Sequence, residues 1–254
     1  MTAQPKPHIL ITGAATGIGA ACARKLASPR NLLCLHTGTN EDGLARLAEE
    51  LRSGTGGEIH CFTADFTDAG ASLKLIDDIR KNAGHIDQMI LNAGYAEKSD
   101  FEHLSDTSLR QALAVMAESP ARLISAFIED IKHSPYGRIV SISSFVTSSS
   151  GVTDAYFTAT AAAKGALEAL TMNAARQCKA HQATANIISP GYTRKDSRKS
   201  ALTDAQWQNL SGRLPLGRLI EPDEIASLAS FLLSEQGAMI TGQNIAVDSG
   251  LNLL

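Results

Sequence analysis

Short apolar runs rich in Ile, Leu and Val recur along the chain and alternate with longer stretches whose apolar positions repeat at helical spacing. The short runs predict strands over residues 8–12, 32–37, 58–64, 86–91, 138–142, 185–188 and 244–247. The longer stretches predict helices over 18–27, 41–52, 71–82, 105–132, 155–179 and 222–233. Strands that alternate with helices build β-α units, and right-handed crossovers then place the strands side by side in one parallel sheet. The expectation is an α/β fold: a single, open, doubly wound parallel sheet of seven strands, Rossmann-like, with helices on both faces. Pro222 falls in the first turn of the last helix, where its missing N–H costs nothing, whereas Pro120 lies inside the fourth pattern and predicts a kink or a division there.

The 254 residues show no repeat and no linker, so the whole chain, 1–254, reads as one domain with a large core. The least regular region is 189–219. Lys and Arg number 23 against 26 Asp and Glu, a formal net charge of -3, which lacks the basic excess that tracks a phosphate backbone and excludes nucleic acid as an expected partner. The first apolar stretch is too short for a signal-peptide core or a membrane span, so a cytoplasmic protein without a membrane partner is expected. Cys22, Cys34, Cys61 and Cys178 are scattered in apolar contexts without CxxC spacing, which predicts structural thiols, no disulfide and no metal site.

Thr12-Gly13-Ala14-Ala15-Thr16-Gly17-Ile18-Gly19 follows the first strand and opens the first helix. Glycines at 13, 17 and 19 let the backbone turn tightly and approach a pyrophosphate, whose charge meets free N–H groups and the positive end of the helix dipole. Asp65-Phe66 follows the third strand, Asn92-Ala93-Gly94 ends the fourth and Pro190-Gly191 ends the sixth. Each is a common turn alone, but all stand at the same sheet edge, where open α/β sheets bind ligands. At the end of the second strand, where an acidic side chain would hold the ribose 2′-OH of NAD, stand Thr37, Gly38 and Thr39. Without that acid a 2′-phosphate is not repelled and two hydroxyls face it, so NADP(H) is expected over NAD(H). Neither Thr16 nor Thr39 supplies a guanidinium fork.

With Gly137 to Ser144, Thr160-Ala161-Ala162-Ala163-Lys164 and the closing run Ile240 to Gly250, these motifs span nearly the whole chain, which resembles the short-chain dehydrogenase/reductase family, and in particular 3-oxoacyl-carrier-protein reductases. The resemblance implies that Asp65 and Phe66 lie by the adenine, that Asn92, Ala93 and Gly94 shape the cofactor cleft, and that Pro190, Gly191 and Thr193 lie against the nicotinamide. It also implies that Ser144 orients a substrate carbonyl and that Lys164 holds the nicotinamide ribose while lowering the pKa of a proton-donating Tyr. That Tyr seat holds Thr160. Positions 160 and 164 lie one turn apart on one helix face, so the geometry of the pair is expected to survive. Its acidity does not, because an alkyl alcohol is a far weaker acid than a phenol. General acid–base catalysis is worth about 10² to 10⁴ in rate, so reduction by the family's usual route should be slow.

Two further departures accompany Thr160. Met116 stands where the resemblance expects the Asn of a proton relay, and Lys195 where a Thr is usual, with Thr193 two residues away. Tyr156, one turn before Thr160, offers a phenol at a spacing similar to that of enoyl reductases, provided that the chain there is still loop. The segment 192–219 corresponds to the family's substrate lid and carries Arg194, Lys195, Arg198 and Lys199 against Asp196, a charge pattern that fits an acidic carrier or a solvated loop. Trp207 and Leu210 line a pocket there or pack the lid down. The resemblance further implies a homodimer or homotetramer. Two readings stay open: an NADP(H)-linked oxidoreductase acting on a small-molecule or carrier-bound carbonyl through an atypical site, or a non-catalytic cofactor-binding subunit of a mixed oligomer with an active relative.

Overall fold

The computed structural model describes residues 6–149, 151–153, 155–194 and 204–254. Seven strands form one parallel sheet in the order β3-β2-β1-β4-β5-β6-β7. They are β1 (His8–Ile11), β2 (Leu32–Thr37), β3 (Glu58–Thr63), β4 (Gln88–Leu91), β5 (Arg138–Ile142), β6 (Thr184–Pro190) and β7 (Asn244–Val247). The strand order reverses between β1 and β4, which are paired Ile9 to Gln88, Leu10 to Met89 and Ile11 to Ile90. Every residue of β2, β5 and β6 is buried, so these inner strands read as continuous apolar runs; the edge strands β3 and β7 instead alternate with exposed positions.

Helices α1 (Gly17–Leu26), α2 (Glu41–Thr55) and α8 (Pro222–Leu233) cover one face, packing Leu44, Leu47, Leu51, Ile225 and Leu232 against Ile9, Ile11, Leu33 and Leu35. Helices α3 (Ala71–Asn82), α4 (Asp106–Leu113), α5 (Ser119–His133) and α6 (Thr158–Cys178) cover the other, where Leu75, Ile79, Phe127, Ile131 and Leu167 meet Leu10, Met89 and Ile139. Each fully buried side chain of this size contributes about 1.5–3 kcal/mol, and burial on both faces is what holds a parallel sheet. Asn40 caps α2 by accepting from the Gly43 N–H at 3.2 Å, and α8 opens on Glu221 and Glu224 in a reciprocal capping box with Pro222 in the first turn, as expected.

Three features of the fold were only partly set by the sequence pattern. The helix expected over 105–132 is divided into α4 and α5 by a π-helical turn, Ala114–Glu118, and Pro120 sits in the first turn of α5, where it needs no N–H partner. Helix α6 starts at Thr158 rather than 155, because residues 156–158 lie extended beside Ser99: its N–H donates to the Tyr156 carbonyl at 2.9 Å and its carbonyl accepts from the Thr158 N–H at 3.1 Å. The irregular region 189–219 holds a further helix, α7 (Asp204–Gly212), whose Leu210 joins Phe145, Val152, Leu214, Leu219 and Leu251 in a small separate core packed by Tyr192 and Trp207. Trp207 and Leu210 therefore pack this segment down. Of the four cysteines, Cys22, Cys34 and Cys178 are buried and Cys61, on the edge strand, is exposed; all are free thiols.

Candidate active site

A cleft of about 1040 Å³ opens at the carboxyl ends of the strands, over the β1–β4 switch point. Its walls gather Gly13, Thr16, Gly17 and Ile18 from the glycine loop, Thr37 and Thr39 from the end of β2, Asp65 and Phe66 after β3, Asn92, Ala93 and Gly94 after β4, and Thr193 after β6. The loop is held from below. Thr12 Oγ1 accepts from the N–H groups of Asn92 (2.9 Å) and Ala93 (3.0 Å), and the Asn92 amide donates to the carbonyls of Thr12 (3.0 Å) and Gly13 (3.1 Å). A Cβ at Gly19 would stand 2.2 Å from the Gly13 carbonyl oxygen, and one at Gly13, whose φ is 66°, would stand 2.9 Å from Ala93 Cα. Only glycine lets these backbones close. At Gly17, with φ 56° and no atom within 4 Å of where a Cβ would stand, the loop instead faces open space at the mouth of α1. A bare backbone cradle at a helix N-terminus, with no acid at Thr37, fits a dinucleotide with a 2′-phosphate.

His36 also borders this cleft, almost wholly buried in β2 and stacked on Phe66 with ring centres 4.4 Å apart. Burial pushes its pKa down to about 4, opposed by the Ala64 carbonyl and Asp65, so the ring is neutral at pH 7. Its Nδ1 accepts from the Gly13 N–H at 3.4 Å, which leaves the proton on Nε2 to donate to the Ala64 carbonyl at 2.9 Å. One imidazole thus ties the glycine loop to the end of β3. The sequence signal was a polar residue inside a fully buried strand, which has to find partners.

Gly19, Pro190 and Gly191 stand behind the cleft rather than on its surface. Gly19 lets α1 close on the loop, and Gly191 lets the chain pass Asp248, since a Cβ there would lie 2.8 Å from Asp248 Cα. Residues 195–203 lie outside the described residues, and with them Lys195, Asp196, Arg198 and Lys199.

The four side chains expected to carry catalysis, Ser144, Tyr156, Thr160 and Lys164, lie outside the lining of the cleft. Thr160 is buried, and its Oγ1 accepts from the Glu97 N–H at 3.1 Å and donates to the Tyr95 carbonyl at 3.5 Å. Lys164, expected to lean toward Thr160, instead donates from Nζ to the Ile142 carbonyl at 2.6 Å. Burial pushes its pKa down to about 8, with Glu168 acting in the opposite direction. A Cβ on Gly94 would lie 2.9 Å from Met116 Sδ and 3.1 Å from Lys164 Nζ, so Met116, in the π turn, and the lysine close on the inner side of this cleft-lining glycine. Ser144 Oγ accepts from the Val146 N–H at 3.4 Å and caps the short turn Phe145–Thr147. Its neighbour Ser143 and Thr147 both donate to Glu168 Oε1, at 2.5 and 2.8 Å, fastening that turn to α6. Tyr156 precedes α6 and is 65% exposed, so the chain there is still loop.

Among the cleft residues absent from the predicted site are three with side-chain chemistry of note. Arg46 and Arg194 line the walls, and so does Tyr95, whose phenol has its pKa raised by burial and by Glu97. Among the described residues no group of His, Cys, Asp or Glu side chains is arranged to hold a metal, and no helix is long and apolar enough to cross a membrane.

Residues 13–252 match the family model described as enoyl-(acyl carrier protein) reductase. The chain is 29% identical over 245 residues to the 3-oxoacyl-[acyl-carrier-protein] reductase FabG of Escherichia coli (strain K12), covering 96% of this chain and 97% of that one. Among solved structures it is similar to the angucycline C-6 ketoreductase LanV with bound NADP (TM-score 0.86, 28% identity, 98% and 96% of the two chains). It is similar also to a blue fluorescent protein from a metagenomic library in complex with NADPH (TM-score 0.86, 25% identity, 96% and 97%). A match that runs from the glycine loop to the last strand covers every wall of the cleft, and the chain belongs to the short-chain dehydrogenase/reductase family.

Proposed function

We propose that this protein is an NADP(H)-linked oxidoreductase that reduces the carbonyl of a small-molecule or carrier-bound substrate through an atypical site. The observation that carries the reading is the cleft: a glycine cradle at a helix N-terminus, over the switch point of the sheet, with no acid at Thr37. The LanV and metagenomic relatives hold NADP and NADPH, and the Escherichia coli relative acts on a carrier-bound 3-oxoacyl group. When bound, the nicotinamide supplies a hydride to the carbonyl carbon. The chain has to deliver a proton to the oxygen, with Ser144 orienting the substrate, Lys164 supplying positive charge, and Thr160 or Tyr156 in the acid role. Thr160 and Lys164 now spend their polar ends on the Glu97 N–H and the Ile142 carbonyl, so in this reading those contacts open for the two side chains to act. In this reading the enzyme works in the cytoplasm as a homodimer or homotetramer.

One observation favours a second reading. The Thr160, Ser144 and Lys164 polar groups all have backbone partners while the cofactor cleft stays open, which suits a non-catalytic NADP(H)-binding subunit of a hetero-oligomer with an active relative. Calorimetric titration with NADPH, followed by NADPH oxidation on keto and enoyl substrates by the parent, Thr160→Tyr and Tyr156→Phe, separates the two. Turnover by the parent supports the enzyme; its loss in Tyr156→Phe assigns the acid to Tyr156, and a gain of ketone reduction in Thr160→Tyr places the defect at residue 160. Binding without turnover in every variant supports the subunit, and no binding at all overturns both.

A further inference from the structure

We propose that Arg46, on α2, is the cation that recognises a 2′-phosphate on the adenosine ribose and so sets the preference for NADP(H); this rests on the cofactor reading above. Sequence spacing places Arg46 on the polar side of a surface helix, between the buried Leu44 and Leu47, with nothing to tell it from any solvated arginine. In the fold α2 follows β2 after only a short turn, and its second turn overhangs the cleft, so that Arg46 lines the same wall as Thr37, Gly38, Thr39 and Asn40. That wall is where the acid of NAD-binding relatives would stand, and here it carries hydroxyls and one guanidinium.

The charge balance around Arg46 is what sets it apart. Asp42, one turn before it, and Glu50, one turn after it, are both spaced to neutralise it along the helix. Glu50 is taken by Arg24, which grips both its oxygens at 2.7 and 2.9 Å, and no ion pair forms with Asp42 among the described residues. The other arginine of the cleft, Arg194, is neutralised by Glu221 at 2.7 Å. Asp65, the carboxylate on the cleft wall, turns its Oδ1 to the Thr67 N–H (3.0 Å) and hydroxyl (2.8 Å). Arg46 is therefore an exposed guanidinium without a partner among the described residues, in a cleft that Thr37 and Thr39 also line. Guanidinium groups bind phosphate through two parallel N–H donors, a geometry that a ribose hydroxyl cannot use.

The test is calorimetric titration of the parent, Arg46→Ala, Arg46→Lys and Arg46→Glu with NADPH, NADH, adenosine 2′,5′-bisphosphate and 5′-AMP. Position 46 is exposed and helical, and alanine is a good helix former, so circular dichroism should show the parent fold in Arg46→Ala. In Arg46→Ala the dissociation constants for NADPH and for the 2′,5′-bisphosphate are expected to rise about ten- to a hundredfold, with those for NADH and 5′-AMP unchanged. Arg46→Lys should retain part of the discrimination and Arg46→Glu should reverse it. The parent's NADPH affinity should fall with added salt more steeply than its NADH affinity. Equal losses for phosphorylated and unphosphorylated ligands, or no loss in Arg46→Ala while the parent binds NADPH, overturn the role of Arg46 and leave the cofactor reading standing. A parent that binds neither dinucleotide overturns both.

Discussion

Lys164 is a buried base with a strongly lowered pKa, and removing its charge has a consequence that can be worked out in advance. Its ammonium is buried and donates to the Ile142 carbonyl, 2.6 Å away. Burial lowers its pKa from 10.5 to about 8, so the folded state holds this proton less firmly than the unfolded chain does. Folding stability then rises with pH wherever the unfolded chain carries the proton and the folded one has lost it, which for these values is the window from about pH 8 to 10.5. Integrated over pH 7 to 10, the shift amounts to about 2–3 kcal/mol. In Lys164→Met, an unbranched side chain of similar length keeps the packing and removes the titration. Urea unfolding of parent and variant across this range isolates the group, because every other ionisation is common to both chains. The parent is expected to gain about 2–3 kcal/mol on the variant as pH rises from 7 to 10. Parallel stability curves, or a gain in the opposite direction, would refute the assignment of a destabilised buried ammonium.

Two further substitutions probe the supports of the cleft. His36 is buried neutral with its pKa lowered from 6.5 to about 4, so its contribution to stability is present above pH 6.5 and is lost as pH falls toward 4. His36→Gln should flatten the acid limb of the stability curve by about 3 kcal/mol over that window, and an acid limb parallel to the parent's would count against the buried neutral ring. Thr160→Val keeps shape and volume but removes the hydroxyl that serves Glu97 and Tyr95. It should cost about 1–2 kcal/mol in unfolding free energy and speed hydrogen exchange at the Glu97 amide; unchanged exchange there would show that Thr160 does not anchor the segment.

The fold was legible because burial of the inner strands on both faces writes continuous apolar runs into β2, β5 and β6, and the glycine loop was legible because its spacing is a steric requirement of the turn itself. What escaped was set by distant partners. The π turn at Ala114–Glu118 leaves the apolar pattern of 105–132 continuous, and Pro120 alone signals it. The late start of α6 depends on Ser99, more than fifty residues away in sequence, which holds the Tyr156–Thr158 backbone extended. Helical spacing correctly put Thr160 and Lys164 on one face, but spacing fixes only where the side chains leave the helix. Their ends went to backbone groups of two different segments, the loop after β4 and the end of β5. Arg46 escaped for the same reason, since which turn of α2 overhangs the cleft is decided by how α2 packs on the sheet.

The departures around the reaction centre are consistent with one another in space. A tyrosine at 160 would bring a ring into a buried position whose hydroxyl now serves the backbone of Tyr95 and Glu97. Met116 Sδ and Lys164 Nζ both come close to the point where a Cβ on Gly94 would stand, and the missing Cβ is what lets them approach it. A short hydroxyl at 160, an apolar chain at 116 and a glycine at 94 thus close the space behind the cleft as one packing unit. Thr160→Tyr should therefore cost about 1–3 kcal/mol of stability through overpacking at this buried position. A Thr160→Tyr chain as stable as the parent would show that the segment 95–97 yields freely, and with it that the closed arrangement around Lys164 is no barrier to chemistry.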